Sequence, residues 1–113
     1  MDLIKQLKDH NVIKTGSFVL KSGETSNIYF DLKSVISYPK LLANISYELS
    51  KLVNKKGVLC GVPYGGIPYA CNISQINNMP MILIRNEKKD YGTQKQIEGD
   101  LFGKKVILIE DVI

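Results

Sequence analysis

The chain has 113 residues, 44% apolar and 23% charged, and a net charge of +4 that rests almost wholly on lysine. That is enough chain for one small domain and too little for two, with the composition of an ordinary globular protein. No apolar run approaches the roughly 18 residues of a membrane-spanning helix, and the opening MDLIKQLKDH mixes charge with apolar side chains, unlike a signal peptide; a cytoplasmic location is the expected default.

Cys60 and Cys71 are too few for a disulfide framework and lack the spacing of a zinc site, and His10 is the only histidine. Both cysteines read as reduced, small apolar residues. Arg85 is the sole arginine and the lysines are dispersed along the chain. The basic balance therefore suits a solvated surface with a few cations reserved for an anionic substrate, and no nucleic-acid partner is expected.

In chain order, Asp2 can cap a short helix carrying Leu3, Ile4 and Leu7 at helical spacing. Ser17 to Lys21 alternates with Phe18 and Leu20 inward, Asn27 to Leu32 is rich in strand formers, and Ser22-Gly23-Glu24 between them reads as the turn of a hairpin. A helix begins at Pro39, where a missing N–H costs nothing. Its apolar face is Leu41, Leu42, Ile45, Leu49, Leu52 and Val53, and Gly57 closes it.

The pattern then changes. Val58 to Val62, Met81 to Ile84 and Val106 to Ile109 are continuous apolar runs, as in parallel strands covered on both faces. A helix is expected from Ile67 to Gln75 between the first two. Asn86 to Lys105 is polar and has no strong helical period. Strand, helix, strand, loop, strand indicates an α/β doubly wound sheet, whose ligands sit beyond the carboxyl ends of the strands.

Three strand-end loops follow. Gly61-Val62-Pro63-Tyr64-Gly65-Gly66-Ile67-Pro68 lets main-chain N–H groups approach an anion at a helix start, or is a plain strand-to-helix turn. Arg85-Asn86-Glu87-Lys88-Lys89-Asp90-Tyr91-Gly92-Thr93 is charge-dense, with Gly92 and Gly99 as hinges; a phosphate-reaching lid and a solvated loop both fit. Glu110-Asp111, directly after an apolar strand, is costly unless hydroxyls, a metal or a cation meets it, or else is a pair of solvated end residues.

The acidic pair after an apolar strand is similar to the phosphoribosyl-diphosphate (PRPP) motif of type I phosphoribosyltransferases. Phe18-Val19-Leu20-Lys21-Ser22-Gly23 followed by Ser26-Asn27-Ile28-Tyr29-Phe30-Asp31 resembles the hood segment of orotate phosphoribosyltransferases. Gly61-Val62-Pro63-Tyr64 resembles their diphosphate loop. Arg85 to Gly92, continued by Ile97-Glu98-Gly99, resembles their catalytic lid in its eukaryotic-looking form, with tyrosine where bacterial members usually carry histidine. Order and spacing hold across nearly the whole chain.

The resemblance implies a type I phosphoribosyltransferase-like doubly wound parallel sheet. It would form a single partial domain, with a helix and hood over 1–37 and an incomplete α/β core over 38–113. It also implies Mg²⁺-dependent transfer of a phosphoribosyl group from PRPP to orotate, giving orotidine 5′-monophosphate and diphosphate, with the Mg²⁺ bound through PRPP. Lys21 would neutralise the orotate carboxylate, with Tyr29 and Phe30 facing the pyrimidine ring. Tyr64 and Gly65 would present main-chain donors to the diphosphate. Arg85, Lys89 and Tyr91 would close over it as it departs, with Lys89 the foremost catalytic residue. Glu110 and Asp111 would hold the ribose hydroxyls while C1′ becomes oxocarbenium-like. The family's lid serves the neighbouring subunit, so a homodimer is implied.

Two positions depart from the family pattern. Asn86 stands where many members have lysine, which weakens one diphosphate contact, and Gly65 stands where bacterial members have lysine. The family also continues past the acidic pair into a Thr/Gly/Ser-rich loop for the 5′-phosphate, which is absent after Ile113. The expectation is a fragment, an interrupted gene product or a chain that needs a partner, with its last strand left as an apolar edge. The alternative is a non-catalytic binding or regulatory module of the same fold. The missing phosphate loop favours it, and the lid argues against it.

Overall fold

The structure, a computed structural model, describes residues 2–85, 92 and 96–111. Helix α1 (Leu3–Asp9) starts on Asp2, whose Oδ1 accepts from the Ile4 N–H at 3.0 Å and the Lys5 N–H at 3.4 Å, the expected N-cap. Strands β1 (Ile13–Val19) and β2 (Thr25–Phe30) form an antiparallel hairpin. Its turn is closed by the Leu20 N–H donating to the Glu24 carbonyl at 2.7 Å and the Gly23 N–H to that of Leu20 at 2.9 Å.

The hairpin strands lie further back along the chain than alternation suggests. β1 starts at Ile13 opposite Phe30, and its register slips between Thr15 and Phe18. Phe18 is half-buried as expected, but Leu20 is 37% exposed, because its main chain belongs to the turn. β2 stops at Phe30 because Asp31 turns the chain. Its Oδ1 accepts from the Ser34 N–H at 3.3 Å and its carbonyl from Ser34 Oγ at 3.0 Å. These bonds open a short 3-10 turn, Ser34–Ser37.

Helix α2 (Pro39–Ser50) carries Pro39 in its first turn and buries Leu41, with Leu42, Ile45, Leu49 and, beyond its end, Val53 packed alongside. It ends well before Gly57, so Leu52 does not join that face and is 83% exposed. The stop has a cause. Ser50 Oγ donates to the Tyr47 carbonyl at 2.6 Å, and Asn77 Nδ2 donates to that of Ser50 at 2.9 Å, so side chains take the terminal acceptors. Gly57 instead leads the chain into the sheet.

The sheet contains β3 (Val58–Gly61), β4 (Met81–Ile84), β5 (Ile97–Glu98) and β6 (Val106–Ile109) in the order β5-β4-β3-β6. β3 runs parallel to both β4 and β6, and β5 is antiparallel on β4. The polar stretch therefore holds one strand that its composition hides, since two residues are too short for a period to emerge. Helix α3 (Ile67–Asn77) runs slightly past the expected Gln75 and ends on Asn78 at φ 51°. It packs on β3, β4 and β6, while α2 packs on α3.

Side chains alternate across β3. Leu59 joins the main core with Tyr69, Ala70 and Ile73, while Val58 and Cys60 face the other way with Ile82. Coverage of both faces, expected for all three apolar runs, holds for β3 alone. β6 is an edge strand among the described residues, burying Ile109 and leaving Leu108 63% exposed. Cys60 is buried, with burial pushing its thiol up, and Cys71 is exposed on α3; both are free. No helix among the described residues is long and apolar enough to cross a membrane.

One buried hydroxyl joins the hairpin segment to this core. Tyr69 on α3 is 3% exposed and donates to the Leu32 carbonyl at 2.7 Å. Burial, and then the carboxylates of Asp111 and Asp31, push its phenol up from 10.0 to about 12. A folded value above the unfolded one means that this stability is complete below the unfolded value of 10.0 and is lost as the pH rises through about 12. Tyr69→Phe is expected to lower unfolding free energy in urea by about 1–2 kcal/mol at neutral pH. It should also remove part of the alkaline fall in stability; an unchanged alkaline limb would show that Tyr69 is not its source.

Candidate active site

The order of the strands creates the site. From β3 the chain passes through α3 to β4 on one side, then returns by way of β5 to β6 on the other. The crevice between the carboxyl ends of β3 and β6 is thus a topological switch point, where open α/β sheets bind ligands. The Gly61–Gly66 loop and the Glu110–Asp111 pair both emerge there.

The two segments are in direct contact. The Val62 N–H donates to the Ile109 carbonyl at 2.8 Å, and the Gly66 N–H to the Val62 carbonyl at 3.0 Å. A Cβ at Gly66 would overlap the Ile109 carbonyl oxygen, and one at Gly65 would lie 2.6 Å from Asp111 Oδ1. A side chain at Gly66 would push the loop off the strand end, because the atoms it meets are main chain, whereas one at Gly65 would displace the Asp111 carboxyl. The peptide between Pro63 and Tyr64 is cis. Among the described residues the N–H groups of Tyr64 and Gly65 meet no acceptor, and Tyr64 is 75% exposed.

The acidic pair divides in two. Glu110 is exposed, and its Oε1 accepts from the Asp111 N–H at 2.9 Å. The Asp111 side chain is only 5% exposed, and Lys33 Nζ stands 3.2 Å from its Oδ2. That approach lacks hydrogen-bond geometry, and Oδ2 has no directed donor. Burial alone would raise the Asp111 carboxyl. Hydrogen bonding with Glu110, the Lys33 ammonium and its own N–H outweigh burial and hold it below the usual value. Lys33 is raised in turn, first by Asp111 and more weakly by Tyr29 and Glu110. The cation foreseen for a buried acid after an apolar strand is present, and it comes from the chain itself.

The other candidates are spread around this crevice. Tyr29 is 41% exposed, acts electrostatically on Lys33, and stacks on Phe18 with ring centroids 5.5 Å apart. Phe30 is 51% exposed. Lys21 sits in the exposed hairpin turn, and no contact among the described residues joins it to Asp111. Arg85 follows β4, and its guanidinium is held by Glu98 Oε1 at 3.0 and 3.3 Å. Asn86, Lys89 and Tyr91 lie outside the described residues. Sequence reasoning missed Lys33 and Tyr69. Only the position of Lys33, just after Asp31 and the strand carrying Tyr29, hints at it, and no local pattern marks Tyr69.

The architecture is that of a type I phosphoribosyltransferase. Over 98% of its length the chain superposes on 24% of the UMP synthase of Leishmania donovani, with TM-score 0.84 and 34% identity. It also superposes over 97% of its length on 56% of the orotate phosphoribosyltransferase of Francisella tularensis, with TM-score 0.74 and 30% identity.

In sequence it is 40% identical to the orotate phosphoribosyltransferase of Methanosphaera stadtmanae, over 97% of this chain and 64% of that protein. The chain is thus related to the orotate phosphoribosyltransferases over nearly all its residues, and it spans a little under two thirds of that relative. No family model matches it.

The glycine seat yields a direct test. Gly65→Ala places a methyl group against the Asp111 carboxyl, and overpacking of this kind costs about 1–3 kcal/mol. The urea midpoint should fall accordingly. A midpoint equal to that of the wild type would show that the loop does not rest on Asp111.

Proposed function

We propose that this chain carries the orotate and PRPP sites of an orotate phosphoribosyltransferase. The reaction moves a phosphoribosyl group from PRPP to orotate, giving orotidine 5′-monophosphate and diphosphate. The observation that carries this reading is the buried Asp111 carboxylate seated on Gly65 at the switch point, in a chain 40% identical to an enzyme of that name.

As the bond from C1′ to the diphosphate lengthens, positive charge grows on the ribose and negative charge on the leaving group. Asp111 and Glu110 hold the ribose hydroxyls and place anionic charge beside the first. The N–H groups of Tyr64 and Gly65 receive the second, pre-aimed and so effective without reorganisation. Lys89 and Tyr91 close over the diphosphate, with Asn86 a weaker contact. Arg85 joins them by exchanging the Glu98 carboxylate for diphosphate oxygens. Lys21 pairs with the orotate carboxylate, and Tyr29 and Phe30 flank its ring.

Among the described residues no three His, Cys, Asp or Glu side chains converge into a metal cluster. Magnesium belongs to PRPP in this reading and arrives bound to it. When bound it neutralises the diphosphate. A homodimer, with lid residues serving the neighbouring site, and a cytoplasmic location complete the proposal.

The test follows orotate by its ultraviolet absorbance, using the protein as its gene encodes it. Absorbance should fall only when PRPP and Mg²⁺ are both present. Lys89→Ala should slow that fall by about a hundredfold or more with little change in PRPP affinity by calorimetry. Binding of PRPP without any loss of orotate would move the chain to the non-catalytic class, and absence of PRPP binding would overturn both readings.

A further inference from the structure

Lys33 has no part in the roles above, yet its ammonium meets the most deeply placed carboxylate of the site. The contrast with the other ion pairs is informative. In Lys14–Asp31, Lys51–Glu48 and Arg85–Glu98 every side chain is at least 25% exposed, the kind of pair worth little. In Lys33–Asp111 the lysine is 68% exposed and the aspartate 5%. A carboxylate so placed, without its cation, carries an uncompensated desolvation cost.

The base of Lys33 is fixed on both sides. Tyr69 holds the carbonyl of Leu32 at 2.7 Å. Asp31 caps the Ser34 N–H at 3.3 Å and is itself held by Lys14 Nζ at 3.3 Å. The flexible part of Lys33 is thus confined to its own side chain, which ends at Asp111. The contact brings the ammonium to 3.2 Å from Oδ2, an oxygen shut off from solvent. A compact ammonium suits this arrangement. It pairs with one oxygen, Oδ2, whereas a guanidinium fork tends to occupy both oxygens.

We propose that Lys33 is a positioning residue for the phosphoribosyl site: its ammonium, paired with Oδ2 of Asp111, keeps that carboxylate seated against Gly65. The inference rests on the reading of the site as a PRPP site. The charged and titratable groups that bear on Asp111 are Glu110 from its own segment, Lys33 from the stretch after β2, and Tyr69 from α3. Lys33 is the only cation among these three, so its loss leaves the carboxylate facing an acid and a phenol.

Two readouts on the intact protein test this. A carbon-detected NMR titration follows the Asp111 side-chain carboxyl in wild type, Lys33→Met, Lys33→Gln and Lys33→Arg, and calorimetry with Mg²⁺ present measures PRPP affinity in the same set. The two neutral variants should both titrate Asp111 nearer to or above the ordinary carboxylate value and bind PRPP about tenfold more weakly. Lys33→Arg should restore the titration. Lys33 is exposed, so the variants should fold, and two neutral side chains guard against one that does not. An Asp111 titration unchanged in both would overturn the pairing. A shifted titration with unchanged PRPP affinity would reduce Lys33 to a structural partner and overturn the positioning role. A wild-type protein that binds no PRPP would remove the reading of the site itself, a result separate from either of these.

Discussion

The bond from the Val62 N–H to the Ile109 carbonyl, 2.8 Å long, fixes the relation on which the rest of the site depends. It joins the loop leaving the central strand to the end of the edge strand, extending a parallel pairing that already runs from Val58 to Gly61. With that bond made, Gly66 lies on the carbonyl that accepts it and Gly65 lies on Asp111. Main-chain donors on one side and a carboxylate on the other then stand within one crevice, an arrangement suited to a molecule bearing both phosphates and hydroxyls.

The hairpin reaches this crevice by separate means. It forms its own two-stranded sheet and shares no strand pairing with the other. Its connection runs through Asp31 to Ser34, held by the Tyr69 hydroxyl from α3 and ended by the charge of Lys33 at Asp111. Tyr69 is buried, and its proton is retained by burial and by two nearby carboxylates. The aromatic face of β2 is thereby placed beside the acidic strand end by these polar links together with Val12, Leu32 and Val35, which pack into the main core.

The parts of the fold legible in the sequence are those written in local order. Apolar runs marked β3, β4 and β6, the spacing after Pro39 marked α2, and Asp2 marked the first cap, because each signal lies within a few residues of what it specifies. Leu52 was misplaced because the end of α2 is decided by Asn77, far along the chain. β5 was invisible because two residues carry no period. In the site, Asp111 was legible as an acid after a buried strand needing a partner, and Gly65 as a residue allowing close approach. The identity of that partner was not. Lys33 is one lysine among many, and only the folded chain selects it.

The seat of the loop after β3 has a consequence for how such a chain diverges. At Gly66 a side chain would meet the Ile109 main chain, so drift there is closed, whereas at Gly65 it would meet only the Asp111 side chain, which must then give way. Tyr64, between them and the cis peptide, is 75% exposed and not held by packing. A loop that receives its ligand through main-chain N–H groups can exchange that side chain freely while the recognising atoms stay in place. Constraint and novelty thus lie close together, and this crevice can explore new neighbours at Tyr64 without moving the main chain that Gly66 seats.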